Sequence, residues 1–324
     1  MDIVVLLIEL VKAFIYGIVE GISEWLPISS TGHMLLLHQF VRLQVSTDFW
    51  DMFLVVIQLG AILAVVFLFF DKLNPWSGHK TTVEQKSTWR LWAQIVAACI
   101  PAAIIGIPLD DWMEEHLGSP FVIAAALIVY GIAFIAIEKT RQARAASGAM
   151  TGAFGRVGVG NTVAYKGKHF SPNAAQALQP QTLSQVDNAQ TTDVFAMSWK
   201  TALGIGIFQV LSIIPGTSRS GSTIIGGLLL GCSRAVAAEF TFFLAVPVMF
   251  GASFLRLVKF SLKGNMFSVD QLAILGVGCV VAFVVSLLTV RFLMRFVKQH
   301  DFQFFGIYRI VLGLIVIAYF MICR

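Results

Sequence analysis

The chain has 324 residues, 57% hydrophobic and only 13% charged, with a net charge of +5 and a mean hydropathy of +0.80. A soluble domain carries about 25% charged residues, so this composition excludes a globular protein that solvates its whole surface. The small positive excess suits cytoplasmic loops better than nucleic-acid binding. Several separate apolar blocks approach the ~20 residues needed to cross a bilayer, which makes the chain an all-α polytopic membrane protein. Cys99, Cys232, Cys279 and Cys323 all lie in apolar segments, without a CxxC pair or a Cys/His cluster, and read as small buried hydrophobes rather than metal or disulfide partners.

The first apolar block, residues 4–25, follows Asp2, contains Glu9 and has no basic opening segment, so it does not read as a cleavable signal. It runs into Glu20-Gly21-Ile22-Ser23-Glu24-Trp25-Leu26-Pro27-Ile28-Ser29-Ser30-Thr31-Gly32-His33. Ionisable groups at membrane depth are costly and mark functional sites. Pro27 and Gly32 interrupt the run, and the short apolar piece Met34 to Val41 follows, as expected for a re-entrant helix pair. Non-helical backbone at that depth is tolerated only where protein or a water-filled cavity surrounds it. Glu20 and Glu24, four apart, share one helix face, and low dielectric magnifies their repulsion. Either one is protonated or a divalent cation, Mg²⁺ or Ca²⁺, sits between them. Ser29, Ser30 and Thr31 add hydroxyls, which need a base or a metal to become nucleophiles. His33 is near enough to Ser30 to serve as its base, or to be the attacking nitrogen itself.

Blocks at 50–70, 92–108 and 121–137 come next. The connection from Asp71 to Arg90 carries Lys72, Lys80, Lys86 and Arg90, and the stretch after Lys139 is also basic, whereas Asp110-Asp111-Trp112-Met113-Glu114-Glu115 is acidic. The positive-inside rule places the basic connections in the cytoplasm and the acidic loop outside. The block at 50–70 then runs inward, and the re-entrant pair before it enters from outside. Residues 141–194, rich in Gly, Ala, Gln, Thr and Asn, read as a flexible cytoplasmic loop. The glycine run Gly152 to Gly160 within it lacks the strand and helix that a nucleotide-binding loop requires.

Blocks at 196–214, 220–231, 236–256, 270–290 and 304–322 repeat the layout. Tyr16-Gly17-Ile18-Val19-Glu20 resembles Ile205-Gly206-Ile207-Phe208-Gln209, and each is followed by a proline, then Ser/Thr and Gly. Gln58 and Glu239 mark the span after each. An odd number of crossings in the first half inverts the second, giving an inverted-topology repeat with about six transmembrane helices and two re-entrant pairs. The expected units are a first membrane repeat (1–140), the polar loop (141–194) and a second membrane repeat (195–324). Arg291, Arg295 and Lys298 fall inside; Arg256, Lys259 and Lys263 fall outside, against the charge rule. Arg234 reads as an anchor at a helix end.

The second polar island is Gln209 to Thr223. Arg219 sits among Thr217, Ser218, Ser220, Ser222 and Thr223, after Pro215-Gly216 and before an apolar helix. A helix N-terminus presents unpaired N–H groups and a positive dipole end, and the arginine fork matches phosphate oxygens. Should the two tips meet, acids and cation form one wall, the anion cradle the other, with serine and histidine between: an arrangement for phosphoryl transfer.

At these residues the chain resembles the undecaprenyl pyrophosphate phosphatase family of the bacitracin-resistance type. The family's ExxxE run and PxSSxGH signature are matched by Glu20, Glu24, Pro27, Ser29, Ser30, Gly32 and His33. Its PGxSRSxxT signature is matched by Pro215, Gly216, Ser218, Arg219, Ser220 and Thr223. Similarity extends to Val56 through Gly60 and to Glu239 through Pro247, sparing the polar loop. The resemblance implies a bacterial plasma-membrane hydrolase that converts undecaprenyl diphosphate to the monophosphate carrier lipid of peptidoglycan synthesis. It also implies a divalent-cation requirement, a site open to the outer face, and homodimers. Carried over, Glu20 and Glu24 serve metal and water, and Ser30 or His33 attacks phosphorus or activates water. Arg219, Ser218 and Ser220 hold the diphosphate, with Ser29, Thr31, Gly32, Gly216, Thr217 and Thr223 lining the binding site. The competing class is a transporter or flippase of a polyprenyl phosphate lipid using the same cradle; a carrier has no need of the adjacent serine, histidine and paired acids.

Overall fold

The computed structural model describes residues 2–154 and 189–323. Ten helices longer than a single turn occur among them. The first five are α1 (Ile3–Ser23), α2 (Ser30–Phe40), α3 (Thr47–Leu68), α4 (Thr82–Leu117) and α5 (Pro120–Phe154). The second five are α6 (Trp199–Val210), α7 (Arg219–Leu229), α8 (Arg234–Leu262), α9 (Val269–Phe296) and α10 (Gln303–Ile322). Serines open many of them: Ser46, Ser198, Ser233 and Ser268 each accept the backbone N–H three residues on, filling one of the donors that a helix start leaves unpaired.

The two series of five correspond in order. Three helices in each are long and apolar enough to cross a membrane: α3, α4 and α5 in the first, α8, α9 and α10 in the second. An odd number of crossings per half inverts the second half relative to the first. The packing repeats as well. Helix α1 lies along α9 and its equivalent α6 along α4, while α3 packs on α8 and α5 on α10. Each long helix of a re-entrant pair thus leans on a span of the other half. Glycine permits the approach: a Cβ at Gly17 would stand 2.7 Å from the Gly278 carbonyl oxygen, and one at the equivalent Gly206 would collide with the Ala98 carbonyl. Small residues are the usual device where lipid offers no hydrophobic drive for helix association.

Large apolar side chains such as Ile307, Val311 and Leu314 face outward, as a hydrocarbon solvent permits. The interior is aromatic near the tips, where Trp25, Phe240, Phe242 and Phe243 are fully buried. Polar clasps tie the helix ends. Lys72 pairs with Glu239 at 2.5 Å. Lys263 pairs with Asp48 at 2.5 Å in an exposed position, where an ion pair adds little stability.

Three sequence expectations change. The acidic stretch 110–115 is helix rather than loop, because α4 continues through Pro101 and Pro108 to Leu117; the acids lie on a helix that extends beyond the apolar span. Helix α5 continues to Phe154, past the boundary expected at residue 140 and into the glycine run, while 155–188 lie outside the described residues. The chain re-emerges as a short extended piece in which Thr191 bridges Cys232 and accepts the Ser233 N–H at 2.9 Å. Arg234 is not an interfacial anchor. It is buried and grips Glu138 bidentately, at 2.9 and 2.5 Å, while the same carboxylate accepts the Phe302 N–H at 3.2 Å. The fork matches the carboxylate plane, and one ion pair ties α5, α8 and the start of α10.

Candidate active site

Helix α1 carries Glu20 on its last turns and stops at Ser23, with Glu24 as its C-cap still donating to the Glu20 carbonyl at 3.0 Å. Pro27 lies just beyond, where its fixed φ and missing N–H disfavour a further turn. The chain re-enters helix through Ser29, at φ 72°; in the second half Ser218 does the same at φ 70°. Among the described residues these are the two non-glycine positions with positive φ. Such strain costs about 1–3 kcal/mol and persists only where the surroundings hold it. Each serine caps its helix by accepting the N–H three residues on, Gly32 at 3.4 Å and Gly221 at 3.2 Å. The residues that follow, Ser30 and Arg219, therefore occupy equivalent first positions of α2 and α7. Glu20 and Gln209 are equivalent in the same register. The repeat supplies one scaffold twice and dresses it with different chemistry.

Glu24 joins the two tips. Its Oε2 accepts the Ser30 hydroxyl at 2.9 Å, and its Oε1 accepts the Arg219 guanidinium at 2.9 Å. The ion pair is largely withdrawn from the surface, both side chains being close to nine-tenths buried. Arg219 also donates to the Thr241 carbonyl at 3.3 Å, and Ser220 Oγ to the Glu24 carbonyl at 3.2 Å. Glu20 is buried beside this cluster, and its Oε1 has no protein hydrogen-bond partner among the described residues.

The other expected binding residues fall into place unevenly. Ser218 and Ser220 share a hydrogen bond at 3.1 Å. The Thr217 hydroxyl is committed to the Leu211 and Ile214 carbonyls at 2.9 and 2.8 Å. Thr223 donates to the Arg219 carbonyl at 2.9 Å and accepts from Thr241 at 2.8 Å. These two threonines brace the loop. Gly216 has φ 92°, and a Cβ there would stand 2.6 Å from the Ile123 carbonyl oxygen, so only glycine fits. Gly32 is buried and Thr31 exposed. His33 is not hydrogen-bonded to Ser30. Its Nδ1 meets the Ser29 carbonyl at 2.7 Å and its Nε2 meets the Tyr308 hydroxyl at 2.7 Å.

Arg309 was missed in the sequence. It is fully buried and donates to the carbonyls of Pro27 at 3.2 Å, Gly216 at 2.9 Å and Thr217 at 2.9 Å, with Tyr130 beneath its guanidinium at 5.4 Å. It thereby fastens both re-entrant tips to α10, and among the described residues it has no carboxylate partner. The signal was available: an arginine inside an apolar helix is as anomalous as a glutamate. Tyr308 had no such signal.

Chemically, the cluster offers a hydroxyl bonded to a carboxylate, a guanidinium beside it, and two helix N-termini that favour an anion. For a divalent cation, the unpartnered oxygen of Glu20 is a suitable hard ligand. Among the described residues, however, no three His, Cys, Asp or Glu side chains gather to form a complete cage. The donor set fits a cation of the kind held by one or two carboxylates and completed by substrate phosphates and water.

The chain is similar in sequence to known proteins over nearly its whole length. Residues 13–315 match the family described as bacitracin resistance protein BacA. The chain is 51% identical over 313 residues to an undecaprenyl-diphosphatase of Streptococcus thermophilus, covering 97% of this chain and 94% of that one. It is 49% identical over 314 residues to the Streptococcus suis protein of the same name, covering 97% and 98%. With that of Lactiplantibacillus plantarum it shares 48% identity over 314 residues, again covering 97% and 98%.

Proposed function

Because the chain belongs to the bacitracin resistance protein BacA family, we propose that it is an integral membrane phosphatase acting on undecaprenyl diphosphate. Its products are undecaprenyl phosphate, the carrier lipid reused in peptidoglycan synthesis, and inorganic phosphate. The single observation that carries the mechanism is Glu24, which holds the Ser30 hydroxyl and the Arg219 guanidinium on its two oxygens at 2.9 Å each.

Ser30 Oγ attacks the terminal phosphorus and Glu24 takes its proton, as a positioned base should. The bond between the terminal phosphorus and the bridging oxygen breaks, and undecaprenyl phosphate leaves. Arg219 exchanges the carboxylate for the phosphoryl oxygens and stabilises their charge. Glu24 passes the serine proton to the departing undecaprenyl phosphate; water then attacks the phosphoserine and gives its proton to Glu24, which returns it to Ser30 Oγ as inorganic phosphate departs. A divalent cation, Mg²⁺ or Ca²⁺, held by Glu20 with support from Glu24, would neutralise diphosphate charge and stabilise the leaving oxygen. Ser30 is favoured over His33 as the nucleophile because both His33 nitrogens are engaged elsewhere. Opening of the site to the outer face is supported by the charge pattern of the connections.

The test is phosphate release by purified protein from a polyprenyl diphosphate with Mg²⁺ or Ca²⁺. Wild type is expected to release phosphate, chelation to abolish release without shifting thermal unfolding, and Arg219→Ala to lose most of it. Lipid translocation without phosphate release would overturn the reading in favour of a flippase.

A further inference from the structure

We propose that Tyr308 is a positioning residue: through His33 it holds the strained Ser29–Ser30 turn in attacking geometry, and His33 does not itself attack. The proposal rests on the reading that Ser30 is the nucleophile. A backbone carbonyl only accepts, so the 2.7 Å contact between His33 Nδ1 and the Ser29 oxygen requires the proton on Nδ1. Nε2 is then the one basic nitrogen of the ring, and it is occupied by the Tyr308 hydroxyl at 2.7 Å. The two rings lie nearly parallel, 9° apart with centroids at 5.7 Å, so ring packing as well as the hydrogen bond fixes the imidazole.

The strut ends on the backbone that needs it. Ser29 sits at φ 72°, a conformation an L-residue keeps only under restraint, and its carbonyl is the atom that His33 grips. Arg309, the next residue of α10, grips the Pro27 carbonyl at the other end of the same turn. Neighbouring side chains of one helix therefore hold both ends of the Pro27–Ser30 segment. Ser30 Oγ turns away from His33 to Glu24. The line of restraint runs from the Tyr308 hydroxyl through the imidazole to the Ser29 carbonyl, and so to the direction of the Ser30 hydroxyl.

Tyr308→Phe tests this, since it keeps the stacked ring and removes only the hydroxyl. Losing the hydroxyl's hydrogen bond from the strut should lower kcat for phosphate release about tenfold with KM held within about twofold. In protein carrying ¹⁵N-labelled histidine rings, the Nε2 resonance of His33, assigned by its loss in His33→Ala, should shift. In the His33→Ala background, Tyr308→Phe should cost nothing further, as expected for two residues acting in series. An unchanged or raised kcat in Tyr308→Phe would overturn the proposal, because an attacking His33 gains from a freed Nε2. So would an additional loss on top of His33→Ala. Ser30→Ala separates the underlying reading: if it still releases phosphate at the wild-type rate, Ser30 is not the nucleophile, whereas the His33 resonance still reports whether the strut exists.

Discussion

Glu24→Gln isolates the role of the carboxylate that joins the two tips. The substitution conserves shape, so the amide oxygen can still accept from Arg219, which now stands 2.9 Å from Glu24 Oε1. The other arm changes sign: an amide N–H now faces Ser30, whose hydroxyl at present donates to Oε2 at 2.9 Å. Ser30 loses both the acceptor that orients it and the group that takes its proton. Removing a positioned general base costs about 10²- to 10⁴-fold in rate, or about 3–5 kcal/mol on the barrier. Substrate affinity should respond differently. Arg219 is no longer held by a full negative charge and is freer to meet phosphate, so KM should stay level or fall. Initial rates of phosphate release from a polyprenyl diphosphate at saturating Mg²⁺ give both constants. A kcat within about threefold of wild type would refute Glu24 as the base for Ser30. A rise in KM with kcat unchanged would make the residue a binding group only.

Two further outcomes follow from the buried cations. Glu138→Ala leaves Arg234 buried without the carboxylate it grips at 2.9 and 2.5 Å, at a cost of about 3–5 kcal/mol; a large fall in thermal unfolding temperature in detergent is expected, and melting with the wild type would show the pair to be idle. Arg309→Lys replaces a fork spanning the Pro27, Gly216 and Thr217 carbonyls with a point charge that cannot reach all three. A roughly tenfold or greater loss in kcat/KM is expected, and unchanged kinetics would show that the tips hold their positions without it.

Much of the site is legible in the sequence because polar residues inside hydrocarbon-length apolar runs have few explanations. Glu20, Glu24, Ser30 and Arg219 stand out for that reason. The two proline-glycine interruptions mark re-entrant pairs, and the spans follow from apolar length and basic connections alone. The tips match closely enough that Ser29 and Ser218 adopt the same positive φ, though nothing local announces a left-handed serine. The failures are instructive in the same terms. The acidic stretch 110–115 reads as loop because charge ends a span, yet charge does not end a helix; α4 continues to Leu117.

By itself, then, the sequence determined the solvent of this protein, its internal repeat and the chemical inventory of its two polar islands, since composition and local periodicity report on burial and local backbone geometry. Only the tertiary structure decided which groups touch. The bond between Arg219 and Glu24 spans 195 positions in the chain, and it forms because repeat-related tips meet between the two halves. The same packing brought Arg309 and Tyr308 from α10 to the turn before Ser30. Those assignments depend on how two inverted halves lean on each other's spans, and no spacing along the chain encodes that angle of approach.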